Sequence, residues 1–364
     1  MKIIFDGRCL LDAKYSGVSW YAHNLSRHLR LIDNGHDWLL FANSSQAVDL
    51  SDLGYQTKIF RYPNKLLNLS LGSTGRPKLD KLCGGAEAFF APNLNFISVA
   101  DSCRLIIAVH DLSFLIHPEF FTFRQQWWHK LILASGVLNR ADTIIADSES
   151  TKRDLVDLLA LPVEKIKTVY LGVGEKYQQE IPAEELRAVK EKYDLPDKFL
   201  LFVSSLEPRK NLLGVLKALE KIPETQLVIA GAGGWKNQKE LKAIKSNERI
   251  KMIGYVPEAD KPALYRLARA LVYPSFYEGF GLPILEAMAS GCPVIAGNNS
   301  SQGEVLADCG LLVDPYDINS ITEAMSELWR NNELGAELSS RGRERAKMFG
   351  WDKTAEETLK SIVS

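Results

Sequence analysis

The chain has 364 residues, more than one hydrophobic core usually spans, so length alone favours two domains. Hydrophobic residues at 46% and charged residues at 24% are ordinary globular values and exclude a disordered, collagenous or coiled-coil chain. With 44 Lys and Arg against 45 Asp and Glu, there is no global attraction to nucleic acid, and any polyanion site must be local.

The start, Met1 to Leu10, carries Asp6 and Arg8 where a signal peptide would be apolar. No apolar run reaches the roughly 20 residues needed to cross a bilayer, so the chain reads as cytoplasmic. Short runs that are continuously apolar apart from a leading Lys2 or Thr143 follow in order, with helical stretches between them. They are Lys2 to Phe5, Trp38 to Phe41, Leu105 to Val109, Thr143 to Ala146, Phe199 to Val203, Leu227 to Ala230, Leu271 to Tyr273 and Val294 to Ala296. Such runs predict parallel strands covered by helices on both faces. The expected fold class is therefore α/β, with two doubly wound, Rossmann-like domains. The break is expected near Leu171 to Pro196, where Gly172 and Gly174 precede a charged helical segment, Ala183 to Tyr193. That puts the first domain at 1–172 and the second at 173–350. In open parallel sheets ligands gather beyond the carboxyl ends of the strands, which predicts a cleft where two such sheets face each other.

Several segments at strand ends carry chemistry. Ser16-Gly17-Val18 lies between the first strand and a helix with Tyr21, Leu25 and Leu29 on one face, so Gly17 marks a helix start available to an anion; a bare turn is the equal alternative. The stretch Lys58 to Leu82 holds six cations against Asp80, interleaved with Leu66, Leu67, Leu69 and Leu71. It reads either as a solvated loop or as a peripheral contact with anionic lipid at the inner face of a membrane. His110-Asp111 ends the third run, where a ligand-facing polar pair or a satisfied core histidine would both fit. After Ser204, Glu207-Pro208-Arg209-Lys210-Asn211 precedes a helix through Leu212, Val215, Leu216 and Leu219. Cations at a helix N-terminus are locally unfavourable, which suggests a bound diphosphate; two solvated surface charges are the other reading. Gly231-Ala232-Gly233-Gly234 fails the GxGxxG spacing and reads as a turn or a close backbone approach.

The richest segment runs from Tyr273 to Gly291, with Glu278-Gly279-Phe280-Gly281-Leu282-Pro283 leading into a two-turn helix that holds Glu286. Glu286, in the first turn, is expected to point back toward the loop that carries Glu278, so that both carboxylates border one site. Five cysteines without a CxxC pair predict reduced packing thiols. All six histidines fall at or before His129, with no HExxH spacing, and no Asp-x-Asp triplet occurs, so no metal site is expected.

With Glu278-x7-Glu286 inside EGFGLPILEAMASGCPVI, SSLEPRKN, His110-Asp111, the Ser16-Gly17 turn, Ala141 to Ser148 and Asp314-Pro315 in order, the chain resembles the retaining GT-B glycosyltransferases of family 4 (glycosyl transferases group 1), mannosyltransferase-like members among them. The likeness covers nearly the whole length. It implies a GT-B fold whose second domain holds a nucleotide-sugar donor and whose first domain holds a saccharide or lipid-linked acceptor, in cell-surface polysaccharide or glycolipid synthesis. The donor implied is GDP-mannose, with a UDP-sugar of glucose type as the alternative. Residue by residue, it puts Arg209 and Lys210 on the diphosphate, Glu286 on the ribose, and Glu278 with the backbone of Phe280, Gly281 and Leu282 on the transferred sugar. His110 would contact that sugar, Gly17 would approach the phosphates, Tyr255-Val256 would border the base, and Gly231 would lie beside the donor. Many members have two glycines where this chain has Ser16-Gly17. No cofactor or metal is implied, and the segment 351–364 resembles a last helix that crosses back to the first domain. An epimerase would need the missing dinucleotide fingerprint, and a non-catalytic nucleotide-sugar-binding protein would be expected to lose Glu278, Lys210 or His110.

Overall fold

In the computed structural model every ladder between described strands is parallel, as expected of segments buried on both faces. All residues are described except 12–15, 34, 47, 232 and 236; Ala232 and Lys236 of the glycine-rich run thus lie outside the described residues. Two units result, Met1–Gly172 with Gly350–Ser364, and Val173–Phe349.

In the first unit, β1 (Lys2–Asp6), β2 (Asp37–Asn43), β3 (Gln56–Phe60), β4 (Ala88–Ala91), β5 (Arg104–Val109), β6 (Thr143–Ala146) and β7 (Ile166–Thr168) form one sheet in the order β3-β2-β1-β4-β5-β6-β7. Ile4 lies between Leu39 and Phe89 in register, and all three are buried. Helix α1 (Gly17–Ile32) begins at Ser16, whose hydroxyl accepts from the Ser19 amide, and it buries Tyr21, Leu25 and Leu29 one turn apart. The terminal helix Trp351–Val363 packs on α1, with Trp351 against the rings of Tyr21 and His28. Gly350 belongs to this unit and not, as expected, to the second, because its carbonyl starts the terminal helix by accepting from the Thr354 amide.

The stretch Lys58 to Leu82 is not a loop. It completes β3 and forms α2 (Asn64–Thr74) and the short helix Leu79–Leu82, with Leu67 and Leu71 in the core. Beyond it, α3 (Phe123–Ala134) is capped by a reciprocal pair, the Thr122 hydroxyl accepting from the Gln125 amide and the Gln125 side chain from the Thr122 amide.

In the second unit, β8 (Leu200–Val203), β9 (Leu227–Ala230), β10 (Ile250–Gly254), β11 (Ala270–Tyr273), β12 (Val294–Gly297) and β13 (Leu311–Val313) are ordered β10-β9-β8-β11-β12-β13. Its helices include α4 (Leu212–Glu220), α5 (Lys261–Leu267), α6 (Leu282–Ala289) and α7 (Gln302–Leu306). Both sheets are doubly wound. Five strands were not anticipated, and β3, β7, β10 and β13 among them are edge strands, all partly exposed; β3, β7 and β10 are interrupted by polar residues such as Lys58, Lys167 and Lys251, and β13 is only three residues long. The fifth, β4, obeys the same rule as the expected strands, since all of Ala88–Ala91 is apolar and buried. Among the described residues, no helix is long and apolar enough to cross a membrane.

Candidate functional site

A doubly wound sheet offers its ligand site where the strand order reverses, because the loops at the carboxyl ends of the two central strands run apart there. In the second unit that point lies between β8 and β11, and side chains from the loops that follow these strands meet across it. After β8, the single 3-10 turn Pro208–Lys210 precedes α4, with Asn211 between them in the left-handed region. Asn211 is held there by its side-chain amide, which donates to the carbonyls of Pro274 and Pro315.

Lys210 Nζ donates to Glu278 Oε1 at 2.7 Å and to the Tyr273 hydroxyl at 2.6 Å. Arg209 Nη1 donates to Glu278 Oε2 at 3.1 Å and to the Tyr277 carbonyl at 2.8 Å, and the Arg209 carbonyl accepts from the Phe276 amide. Lys210 is only 8% exposed and Glu278 only 5%, which overturns the reading of Arg209 and Lys210 as solvated surface charges. They also stand in the turn before α4, one residue earlier than a helix N-terminus, so a carboxylate and not a helix dipole sets their local electrostatics. Burial alone would raise Glu278, but the Arg209 and Lys210 cations hold its carboxyl down to about 2. Burial, with Arg209 beside it, lowers Lys210 against the pull of Glu278. Glu207, also buried, accepts from Arg209 Nη2 at 3.4 Å, so two carboxylates hold the two cations in one rigid cluster, and fixed cations of this kind are what bind and stabilise a developing phosphate charge.

The loop that holds Glu278 is clamped from the segment after β12. Ser300 Oγ accepts from the Glu278 amide, Ser301 Oγ donates to the carbonyls of Glu278 and Phe280, and the side chains of Asn299 and Gln302 donate to those of Phe276 and Ser275. Sequence reasoning missed this Asn299 to Gln302 clamp. Its signal was a polar run directly after an apolar strand, the same grammar that singled out His110-Asp111. Gly281 caps α6 with φ at 99°, where a side chain would be strained, and Phe280 is buried while Leu282 is partly exposed.

Glu286 does not share the partners of Glu278. It is the fifth residue of α6 and so stands in the second turn, not the first. Its Oε2 accepts from the Tyr265 hydroxyl at 2.8 Å, and its Oε1 lies 3.9 Å from Lys261 Nζ. Lys261 also pairs with Glu258, which in turn accepts from Lys176 and the Tyr177 hydroxyl at 3.0 Å each. Burial raises Glu286 above the usual carboxylate range, with Lys261 opposing. Tyr255 and Val256 follow β10; Tyr255 is 63% exposed and Val256 is buried. Gly231 needs to be glycine for an internal reason: a Cβ there would sit 1.8 Å from the Ser204 carbonyl oxygen, so the loops after β8 and β9 touch through it.

In the first unit, His110 follows β5 and is held at both ring nitrogens, Nδ1 against Asp147 Oδ2 at 2.6 Å and Nε2 against the Pro92 carbonyl at 2.9 Å. Asp147 follows β6 and Pro92 follows β4, so three adjacent strand ends converge on one imidazole. The Tyr21 ring stands edge-on to it at 4.8 Å. Asp147 lay within the Ala141 to Ser148 segment but had drawn no role. Gly17 opens α1, is exposed, and has nothing within 4 Å of where a Cβ would be.

Two doubly wound, Rossmann-like sheets are the architecture of the GT-B fold. The family model for glycosyltransferase family 4 matches residues 15–176 and that for glycosyl transferases group 1 matches residues 183–345. The O-antigen chain mannosyltransferase B of Escherichia coli is 35% identical over 70% of this chain and 69% of its own length. The serotype-specific mannosyltransferase WbdA of the same organism is 29% identical over 69% of this chain, which spans only 32% of that longer protein. A crystal structure of Anabaena Alr3699/HepE in complex with UDP and glucose, 18% identical, matches the fold over 100% of both chains with a TM-score of 0.77. The chain belongs to the glycosyl transferases of group 1, with a family 4 first half, and it is a glycosyltransferase related to mannosyltransferases of polysaccharide synthesis.

Proposed function

We propose that the protein is a retaining, metal-independent mannosyltransferase that moves mannose from GDP-mannose to a saccharide or lipid-linked saccharide during cell-surface polysaccharide assembly. The observation that carries this reading is the Arg209–Lys210–Glu278 anchor at the switch point of the second sheet, in a chain 35% identical to an O-antigen chain mannosyltransferase. In this reading Arg209 and Lys210 bind the donor diphosphate, and Glu278 both fixes the two cations and borders the transferred sugar with the backbone of Phe280, Gly281 and Leu282. Glu286 takes the ribose, Tyr255 and Val256 border the base, and Gly17 approaches the phosphates. His110 of the first unit, which also takes the acceptor, contacts the sugar. No protein nucleophile is needed. The acceptor oxygen bonds to the anomeric carbon on the face the diphosphate leaves, and the acceptor proton passes to the departing diphosphate. With no Asp-x-Asp triplet in the chain, the fixed cations do the neutralising.

UDP-glucose is the second reading, supported by the bound UDP and glucose of the Anabaena neighbour. Thermal melting with GDP, UDP and ADP and their sugars distinguishes the two, since a ligand at 100 times its dissociation constant adds about 2.7 kcal/mol. Stabilisation by GDP and GDP-mannose, with GDP-mannose turnover, is expected; stabilisation by UDP-glucose alone overturns the mannose assignment.

A further inference from the structure

Eight of the seventeen large apolar side chains that the described chain exposes fall within 59–69 and 123–131. On α2, Leu67 and Leu71 face the core while Leu66 and Leu69, three residues apart, are 63% and 67% exposed. On α3, Phe123, Trp127 and Leu131 recur every four residues, each at least half exposed, and so form one outward stripe. Trp128 beside them is 40% exposed and is fixed edge-on against Phe96 at 5.0 Å. The two helices pack against each other, so the stripes are neighbours.

The charge on these elements has one sign. Lys65 on α2, Arg124 and Lys130 on α3, and Arg61 and Arg76 flanking α2 are all exposed, and neither helix contains an acid. Of the carboxylates next to them in sequence, Asp80 is buried and accepts from the Ala100 amide, and Glu119 pairs with His117. Lys58 and Lys78 are turned inward onto the Cys83 carbonyl and the Ser98 hydroxyl. Bulky aliphatic and indole side chains among cations, with no acid, is the composition of helices that lie in the headgroup region of an anionic bilayer.

We propose that the joint outer face of α2 and α3 docks the protein on an anionic lipid surface. The expected stretch 58–82 supplies only part of that face, and α3 supplies its aromatic half. A second copy of the chain would set cation against cation, and a sugar-stacking platform would not be built from Leu66, Leu69 and Leu131 without carboxylates. The inference does not depend on which sugar or nucleotide the enzyme uses.

Co-sedimentation of the full chain with phosphatidylcholine vesicles, with and without phosphatidylglycerol, tests it. Binding is expected only with phosphatidylglycerol and only at low salt. The Lys65→Gln, Arg124→Gln, Lys130→Gln variant should bind about a hundredfold more weakly, at about fivefold per cation. The Leu66→Gln, Leu69→Gln, Trp127→Gln, Leu131→Gln variant should lose at least about tenfold, with a melting curve like the parent because all four positions are exposed. No binding to anionic vesicles, equal binding to neutral ones, or binding unchanged in both variants overturns the proposal. So does a dimer by light scattering that the apolar variant disperses, or tryptophan protection by a soluble mannan but not by vesicles.

Discussion

Asp147 Oδ2 and His110 Nδ1 stand 2.6 Å apart, while Nε2 of the same imidazole meets the Pro92 carbonyl at 2.9 Å. The Pro92 carbonyl can only accept, so Nε2 carries a proton, and the bond between Nδ1 and Asp147 holds a second one, which makes the ring an imidazolium when it sits on Nδ1. Burial opposes that charge, but the Asp147 carboxylate outweighs it, and the pKa of His110 is raised. A raised histidine contributes its stability fully below about 6.5, and the contribution fades as pH rises through the folded value. Melting temperature should therefore fall on that alkaline side in the parent protein. Asp147→Asn should abolish the pH-dependent part and cost about 3 kcal/mol, since it strips one partner from a buried pair. An identical pH profile in the variant would show that the ring is neutral.

Lys210 and Glu278 are a buried pair of the kind that is expensive to break and inexpensive to replace whole. Lys210→Ala should lower turnover at least about tenfold, consistent with about 1.5 to 3 kcal/mol for a hydrogen bond to a charged group. Its melting temperature should also drop, because Glu278 then keeps one cation, Arg209, in place of two. Adding Glu278→Gln to Lys210→Met should recover part of the stability lost by Lys210→Met alone. A double variant less stable than both singles would mean the two side chains do not form the pair described.

Glu278 also predicts an acid limb. Its carboxyl is held to about 2 against an ordinary 4.5, so its contribution is present above 4.5 and lost as pH falls toward 2. The size is on the order of 3 kcal/mol. Denaturant titrations from neutral pH down through this window should show Glu278→Gln losing less stability than the parent. Parallel curves would count against a depressed carboxyl.

The separate partners of Glu278 and Glu286 give different binding phenotypes. Glu286→Gln, beside Tyr265 and Lys261, should weaken binding of the free nucleoside diphosphate. Glu278→Gln should leave that affinity closer to the parent value and mainly lower the transfer rate. Calorimetry with both variants decides it, and equal losses of nucleotide affinity would refute the assignment.

On the proposal that Arg209 and Lys210 neutralise the diphosphate without a metal, donor turnover should persist in EDTA. Loss of activity on chelation, restored by Mg2+ or Mn2+, would overturn this.

Much of the architecture was legible because strands covered on both faces must be apolar throughout. Ile3 to Phe5, Leu105 to Val109 and Val294 to Ala296 announce themselves, and the glycines and prolines of Glu278 to Pro283 mark a strand-to-helix turn. Edge strands were not legible, since β10 has only one neighbour and carries Lys251 between apolar residues. Residue type and strand-end position singled out Arg209, Lys210, His110 and Glu278 as candidates, each beside a bland alternative. Which charge meets which was not legible, because Lys210 and Glu278 are 68 residues apart and touch only through the pairing of β8 with β11. For the same reason Asp147 gained its meaning only when parallel strands set their carboxyl ends side by side, and Glu286 its tyrosine and lysine neighbours only when α6 packed on α5. Local pattern determines what a segment becomes; partners distant in sequence are decided by sheet order, which no local pattern records.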